Sequence, residues 1–400
     1  MQKSGNDINQ LPESQQEGVF YPTRKIRIPV NKENVLKSGI VNPEDADKIV
    51  PFIDIDLPES AILKNQMMML DIVANNDWKR PIYFTGGSYS DSEYLWMKKY
   101  LQLEGLVYKL VPIKTDLGKD NPYLMGRIDS DLMYDIVMQW DWGNSESTEI
   151  YHDPETRKNS ISFRSNMARL AEQLINEGKK EKALTIIDLA LKKMPLDYFG
   201  FYSLMVPFVD GYYRINENEK AQVLSKSIGL KYSDRLNYFN SLNLDLQYSL
   251  GEEIITEIER YRTLVEADLK HAKKADLLQT LNRFMTSASS FKYLYGDYEY
   301  YTGLIDIAEG YFIIKETELA ESLTSKIIDE IKKRLQLYSQ FSQDNQLVLE
   351  DRIKNEFLNY NYLLQQIKKY GSETFFKSQE AQYNKSVQLF TTSLKTEETK

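Results

Sequence analysis

The sequence predicts an α+β protein in which a small α/β module precedes an all-α helical-repeat array. Runs with the alternating apolar pattern of β-strands occur only up to Ile113, whereas helical periodicity dominates from Ile161 onward. Gly and Pro breaks recur along the second part, as expected for helices joined by short turns. A chain of 400 residues is long enough for two or three domains.

The predicted module begins after a polar segment. Residues 1–23 are rich in Gln, Ser, Asn and Glu, which predicts a flexible lead-in, and residues 24–150 form the module itself. Alternating residues predict a strand at 24–30, where Pro29 favours a sheet edge, and a second strand at 49–57.

The sequence pattern in the middle of the module predicts alternating helices and strands. Helical spacing of apolar residues predicts a helix over 58–76, and a second helix is predicted over 91–104. The second helix lies between strand-like runs at 80–87 and 106–113, which together predict a parallel strand-helix-strand crossover. A further helix is predicted over 129–140.

Residues 151–395 form the predicted helical domain. Small and turn-forming residues recur there at spacings that let two helices approach closely, and they resemble one tetratricopeptide unit. The residues of this pattern are Ala171, Gly178, Ala183, Ile187, Ala190 and Pro195. Val209 and Ala221 follow Ala171 and Ala183 by 38 residues and indicate a degraded second copy, and the later helices show no clean repeat.

The composition excludes several classes of function. The net charge of −9 argues against a nucleic-acid or anionic-membrane surface, because both require a basic face. The absence of cysteine excludes disulfides and thiolate metal sites. His152 and His271 are the only histidines and are far apart in the sequence. We expect both to face solvent. We also expect no cofactor. No apolar stretch reaches the length of a membrane helix.

Asp54 and Asp56 are a candidate metal site. They lie two residues apart on a predicted strand, so both carboxylates point to one face and could hold a divalent cation. The alternative is an ordinary exposed strand face, with Ile53 and Ile55 turned to the core.

A second cluster lies at the end of the 58–76 helix. Asp71 stands in an apolar helix, and a carboxylate on a buried face requires a partner, for which Arg80 is the nearest candidate. We expect a structural ion pair, with a ligand-facing site as the alternative. The candidate structural or binding cluster is Asp71, Asn75, Trp78, Arg80 and Tyr83.

Longer runs point to a known family. The two most specific are LKNQMMMLDIVANNDWKRPIYFTGG (63–87) and YLQLEGLVYKLVPIK (100–114), and IPVNKENVLKSGIVNPEDADKIV (28–50) and MGRIDSDLMYDIVMQWDWGN (125–144) add to them. Together they resemble the C-terminal soluble region of a bacterial domain-of-unknown-function family of polytopic membrane proteins. That family is related to protein O-mannosyltransferases of the C-type glycosyltransferase superfamily, and the resemblance covers roughly residues 24–195.

The resemblance implies a place at the membrane without an active site in this chain. Family members carry their catalytic carboxylate in an early loop between membrane helices, so no catalytic residue transfers to this sequence, and whether it takes part in catalysis is left open. The chain would be a periplasmic accessory domain at the inner membrane, soluble by itself. Its expected partners are the membrane-embedded portion of the parent protein and a protein or peptide acceptor.

Two other functions remain open. The helical array could be a stand-alone protein-binding scaffold with no enzymatic link, because the concave face of such arrays binds peptides. A soluble metal-dependent sugar enzyme using Asp54 and Asp56 is the third hypothesis.

Overall fold

The computed structural model describes residues 2–4, 20–21, 23–57, 61–85, 95–117, 125–271 and 273–395. The chain divides into two compact units, Met1–Gly200 and Phe201–Lys400. The described strands all lie in the first unit, and the second unit is helical throughout its described residues. The predicted α+β class, with a β-containing region followed by a long helical region, is therefore confirmed.

The strands of the first unit are short and form three small sheets. Their bounds are β1 Gln2–Ser4, β2 Phe20–Tyr21, β3 Lys25–Pro29, β4 Phe52–Asp56, β5 Ala61–Ile62, β6 Tyr83–Thr85, β7 Leu101–Glu104, β8 Val107–Leu110 and β9 Arg127–Ile128. The sheet orders are β2-β1-β5, β3-β4 and β6-β8-β7-β9. Much of the predicted lead-in lies outside the described residues, although β1 and β2 fall within it.

The predicted crossover over 80–113 is wrong. Residues 95–100 form a 3₁₀ helix, and 101–104 form strand β7, which pairs antiparallel with β8 as a hairpin. All four β7 residues are buried, so its Leu-Gln-Leu-Glu sequence alternates in polarity although its burial does not. Gly105 has a φ of 64° at the turn, and any Cβ there would lie 3.1 Å from the Cγ2 of Ile136. Gly105 therefore turns a hairpin and does not cap a helix.

The helices of the first unit surround these sheets and continue to its end. They are α1 Lys32–Lys37, α2 Lys64–Asn75, α3 Ser130–Met138, α4 Pro154–Asn176, α5 Lys180–Lys193 and α6 Leu196–Phe199, with a 3₁₀ turn at Pro43–Lys48. Asp129 caps α3 by accepting the Leu132 N–H, and Asp153 caps α4 in the same way.

Helices α4 and α5 form the helical pair predicted from the small residues. Ala171, Ala183 and Ala190 are buried where the two helices pack, and Gly178 has a φ of 76° in the turn between them. The tetratricopeptide assignment of this pair and the predicted domain boundary at 150 both stay predictions.

Arg164 on α4 fixes the end of this pair. Its guanidinium is fully buried and donates to the carbonyls of Met194 (2.7 Å) and Gly200. Burial lowers the pKa of Arg164 to about 10, so the side chain remains a cation near neutral pH. It thereby satisfies carbonyl groups that follow the C-terminus of α5, where positive charge is favourable.

The second unit begins with a 3₁₀ turn and continues as helices. They are α7 Val206–Arg214, α8 Asn218–Ser241, α9 Leu244–Ser249, α10 Gly251–His271, α11 Lys274–Ser289, α12 Asp297–Thr302, α13 Ile305–Ile313, α14 Thr317–Ser339, α15 Gln343–Val348, α16 Glu350–Tyr370 and α17 Glu373–Lys395.

This helix order contains an internal duplication. Helices α13 to α17 begin 99 residues after α7 to α11, each in turn. Over residues 206–271, 18 of 66 positions carry the same residue as the position 99 further on. This period of 99 residues is much longer than the 38-residue spacing from which Val209 and Ala221 were predicted to be a degraded second tetratricopeptide unit, and both residues lie in the first of the two copies.

Retained residues perform the same structural task in both copies. Gln247 donates from Nε2 to the Leu242 carbonyl (2.6 Å) and Gln346 to the Phe341 carbonyl (3.0 Å). Glu257 and its counterpart Glu356 are both buried, and each lies beside an arginine of the preceding long helix.

One buried position is acidic in the first copy and apolar in the second. In the first copy Asp268 is buried and accepts hydrogen bonds from Tyr213 (3.1 Å), Ser225 (2.7 Å) and Thr280 (3.0 Å). Burial raises the pKa of Asp268, and the three donors oppose that rise. In the second copy Ile367 takes its place, and the hydroxyl of Thr324, the counterpart of Ser225, has no hydrogen-bond partner.

Candidate docking surface

Helix α2 of the first unit exposes much of its apolar surface. Only Gln66 and Val73 among its residues are buried. Met68 and Ile72, one turn apart, are each 58% exposed, and Met67 is also exposed. Leu63, directly before the helix, adds to this surface. A twelve-residue helix with so few buried residues has an apolar face with no partner among the described residues.

Asp71 and Asn75 lie within this exposed face. Their side chains are hydrogen-bonded to each other, with 2.9 Å between Asn75 Nδ2 and Asp71 Oδ1. We name Leu63, Met67, Met68 and Ile72, with the Asp71–Asn75 pair among them, the α2 surface. It combines adaptable apolar side chains with one fixed polar pair.

The predicted ion pair between Asp71 and Arg80 does not form. Asp71 is exposed, so it needs no buried cation, and Asn75 occupies its Oδ1. Arg80 is also exposed, and its backbone carbonyl accepts a hydrogen bond of 2.6 Å from Asn76. The prediction failed because it took the apolar character of α2 to mean burial, whereas that apolar surface faces outward.

Trp78 is the buried member of the predicted cluster. Its indole N–H donates to the Pro29 carbonyl at 2.8 Å, which ties the end of α2 to strand β3. Asp77 and Trp78 both have positive φ, 46° and 58°, which is costly for residues with a Cβ.

The turn at Asp77 is held by hydrogen bonds from α1 and from Asn31, the residue before α1. Asn34 donates to the Asp77 carbonyl (2.8 Å) and to its Oδ2 (2.9 Å), and Asn31 donates to Oδ1 at 3.3 Å. These bonds fix the direction in which the chain leaves the α2 surface. Asp77 was not among the residues predicted for this cluster; its position after two asparagines at a helix end was the available signal.

Tyr83 is about half exposed, and its hydroxyl bonds to a buried polar network that joins the two most specific sequence runs. Its strand pairs with β8 so that Tyr83 lies opposite Lys109. Lys109 forms an ion pair with Glu104 at 2.6 Å, and both side chains are buried. Gln102 donates to the same carboxylate at 2.8 Å, and the Tyr83 hydroxyl donates to it at 3.3 Å. Burial and the Glu104 carboxylate raise the pKa of Tyr83.

Asp54 and Asp56 lie exposed on one face of β4, as their spacing predicted. Arg27 on the neighbouring strand contacts both oxygens of Asp54, at 2.6 and 3.1 Å, and these hydrogen bonds lower the pKa of Asp54. Asp54 thus already has a cationic partner. Over the described ranges, no group of three His, Asp or Glu side chains could hold a metal ion.

His152 is partly buried, whereas His271 is exposed. His152 lies against the rings of Tyr198 and Phe199, with ring centroids 5.6 Å apart in each case. His271 stacks on Tyr213 and lies 3.1 Å from Asp210. The expectation that both face solvent therefore holds for His271, which remains exposed, and only in part for His152, because two aromatic rings cover its imidazole.

A polar groove of about 400 Å³ also lies in the first unit. Its charged groups bond to one another. Arg127 pairs with Asp45 at 2.7 Å, and Lys179 pairs with Asp131 at 2.6 Å and Glu177 at 2.8 Å. Because these charges are mutually satisfied, the groove gives no sign of a missing ligand.

Comparison with known proteins finds a family match in the first part of the chain. Within the described ranges, every helix is too short or too polar to span a lipid bilayer. No curated protein and no solved structure matches the chain. A family model described as TMEM260-associated domain 2 matches residues 1–132, which include the α2 surface and the Tyr83–Glu104–Lys109 network. This match is consistent with a domain from a TMEM260-like membrane protein family.

Proposed function

We propose that the chain is a non-catalytic accessory domain of a membrane glycosyltransferase-like protein related to protein O-mannosyltransferases. In this proposal the domain lies on the periplasmic side of the membrane, and the α2 surface binds the membrane-embedded portion of the parent protein. The helical part then recruits an acceptor polypeptide. The observation that carries the proposal is the exposed apolar face of α2, inside the segment that matches a membrane-protein-associated domain.

The chemistry of the α2 surface suits a protein partner. Met67 and Met68 are flexible and polarizable, so they can adapt to an irregular apolar surface. Burying one exposed apolar side chain of this size contributes about 1.5–3 kcal/mol before the costs of association. The Asp71–Asn75 pair would add directional hydrogen bonds at the centre of the contact.

The turn at Asp77 supports a binding role for the α2 surface. Positive φ at two successive residues is retained only where surrounding bonds hold it, and such strain often accompanies functional sites. Here the bonds from Asn31 and Asn34 pre-organise the end of α2. A rigid surface loses less entropy on binding than a mobile one.

Site-specific photo-crosslinking in native membranes tests the proposal. A photoreactive residue at Met68 or Ile72 should crosslink to a polytopic membrane protein identified by mass spectrometry. The same residue at Glu172, an exposed position on α4, serves as the matched control and should not. The Ile72→Ser substitution should reduce crosslinking from Met68, because it removes a neighbouring apolar contact.

Crosslinks from Met68 to soluble proteins alone would refute the membrane role. That outcome would favour the second candidate, a stand-alone protein-binding scaffold. The duplicated helices of the second unit are the observation that favours this alternative, since repeated helices build extended binding surfaces.

A further inference from the structure

The duplication places two equivalent corners in the second unit. In each, a short helix connects two long ones: α9 connects α8 to α10, and α15 connects α14 to α16. We name residues 238–252 the first corner and 337–351 the second corner. A glutamine at the same repeat position, Gln247 or Gln346, donates to backbone carbonyls and fixes each corner.

Both corners expose large apolar side chains at equivalent positions. Tyr238 and Tyr248 of the first corner are 59% and 61% exposed. Their counterparts Leu337 and Leu347 are 51% and 70% exposed. Most other positions have diverged between the copies, and core packing does not explain why exposed positions stay apolar. A binding function shared by both copies explains why these exposed positions stay apolar.

Each corner also presents unpaired acidic groups. Asp245 and Glu252 are exposed in the first corner, and Asp344 and Asp351 are exposed at the equivalent positions. Within the described part of the chain, none of these four carboxylates forms an ion pair.

The basic side chains near the corners already have partners. Arg235 bonds to Glu253, and Lys354 bonds to Glu350 at 2.6 Å. Arg352 lies 4.9 Å from the ring centroid of Tyr298. Residues 238–252 and 337–351 contain acidic residues but no Lys or Arg. The field at both corners is therefore acidic, which disfavours anionic lipid and nucleic acid and favours a cationic partner.

We propose that each corner binds a basic, amphipathic segment of a polypeptide. Apolar side chains of the segment contact Tyr238 and Tyr248, or Leu337 and Leu347, and its Lys or Arg side chains pair with the neighbouring carboxylates. One chain therefore binds two such segments, and a partner that carries both in one polypeptide gains affinity from their linkage.

Fluorescence anisotropy and titration calorimetry on the full chain test this inference. The probe is a labelled amphipathic peptide of about 18 residues built from Leu and Lys. Two matched peptides replace Lys by Glu, or Leu by Ser. The wild-type chain should bind about two Leu/Lys peptides and neither matched peptide, and binding should weaken as salt is raised.

Substitutions separate the two corners. Tyr248→Ser and Leu347→Ser should each leave one peptide bound per chain, and the double variant should bind at least about tenfold more weakly. Asp245→Asn with Asp344→Asn should weaken binding mainly at low salt. The matched control is Val223→Ser, because Val223 is exposed but its repeat counterpart is Ser322, so binding should be unchanged.

Several results would overturn the inference. These are equal binding of the Glu peptide, unchanged binding in the double variant, and no binding of the Leu/Lys peptide by a folded wild-type chain. Binding to phosphatidylcholine vesicles in place of the peptide, if lost in the double variant, would assign the corners to a lipid surface and reject the peptide proposal.

Discussion

Replacing Lys109 by methionine tests whether the buried network supports the first unit. The substitution keeps the length of the side chain and removes its charge. Glu104 would then keep only two neutral donors, from Gln102 at 2.8 Å and Tyr83 at 3.3 Å. Removing one partner of a buried ion pair costs about 3–5 kcal/mol, because the remaining charge stays buried without compensation.

That cost is a large share of the stability of a typical domain, which is about 5–15 kcal/mol. For a unit of this size, about 1 kcal/mol shifts the melting temperature by 2–4 °C, so we expect Lys109→Met to lower it by roughly 10 °C. The expected loss is far above the effect of a surface substitution.

Tryptophan fluorescence during urea unfolding isolates this effect. The four tryptophans, Trp78, Trp96, Trp140 and Trp142, all lie in the first unit, so the signal reports on that unit alone. Lys158→Met is the matched control, because Lys158 pairs with Glu155 at the surface. The control should change the free energy of unfolding by less than about 0.5 kcal/mol.

A double variant separates a lost ion pair from lost packing. Lys109→Met combined with Glu104→Leu removes both charges, and it should recover much of the stability that Lys109→Met loses. The reasoning would be refuted if Lys109→Met unfolded at the same urea concentration as the wild type. It would also fail if the double variant lost the sum of the two single losses.

Three further substitutions have defined outcomes. Arg80→Ala should change the free energy of unfolding by less than about 0.5 kcal/mol in the same assay, because Arg80 is exposed and unpaired with Asp71; a loss of several kcal/mol would contradict this structure. Arg164→Met should cost about 2–4 kcal/mol, since it leaves the carbonyls of Met194 and Gly200 without donors. An unchanged tryptophan transition would argue against that role. Asp268→Asn tests pH dependence by circular dichroism. Because the folded-state pKa of Asp268 is raised, its stabilising contribution is complete below about pH 4 and is lost as pH rises through the folded pKa. Wild-type stability relative to Asp268→Asn should therefore fall as pH rises, and a rise would reject the assignment.

The sequence predicted those elements whose pattern is local. Strands β3 and β4 alternate cleanly and lie within the predicted ranges 24–30 and 49–57, and helix α3 lies within the predicted range 129–140. The β7–β8 hairpin was missed because the Leu-Gln-Leu-Glu alternation of β7 covers only four residues, which is too short to stand out from the helical pattern predicted over 91–104.

The candidate site was predictable in part. Tyr83 and Trp78 were identified from their sequence runs. In the structure the Tyr83 hydroxyl bonds to the buried Glu104, and the buried Trp78 bonds to the Pro29 carbonyl. The partners Glu104 and Lys109 come from two other strands, β7 and β8, and sequence order does not indicate which strands pair. Local periodicity also could not predict that the apolar face of α2 is exposed. Periodicity identifies an apolar face, but it does not identify what packs against that face.

The Asp268 cluster has a consequence for how the duplicated unit folds. Two copies with the same helix order could exchange equivalent helices during folding, and similar repeats are prone to such misassembly. If α16 took the place of α10, Ile367 would face Tyr213, Ser225 and Thr280 and leave three hydroxyls without their acceptor. The reverse exchange would bury Asp268 beside Phe312. One aspartate therefore distinguishes the two copies and helps each helix find its own partners.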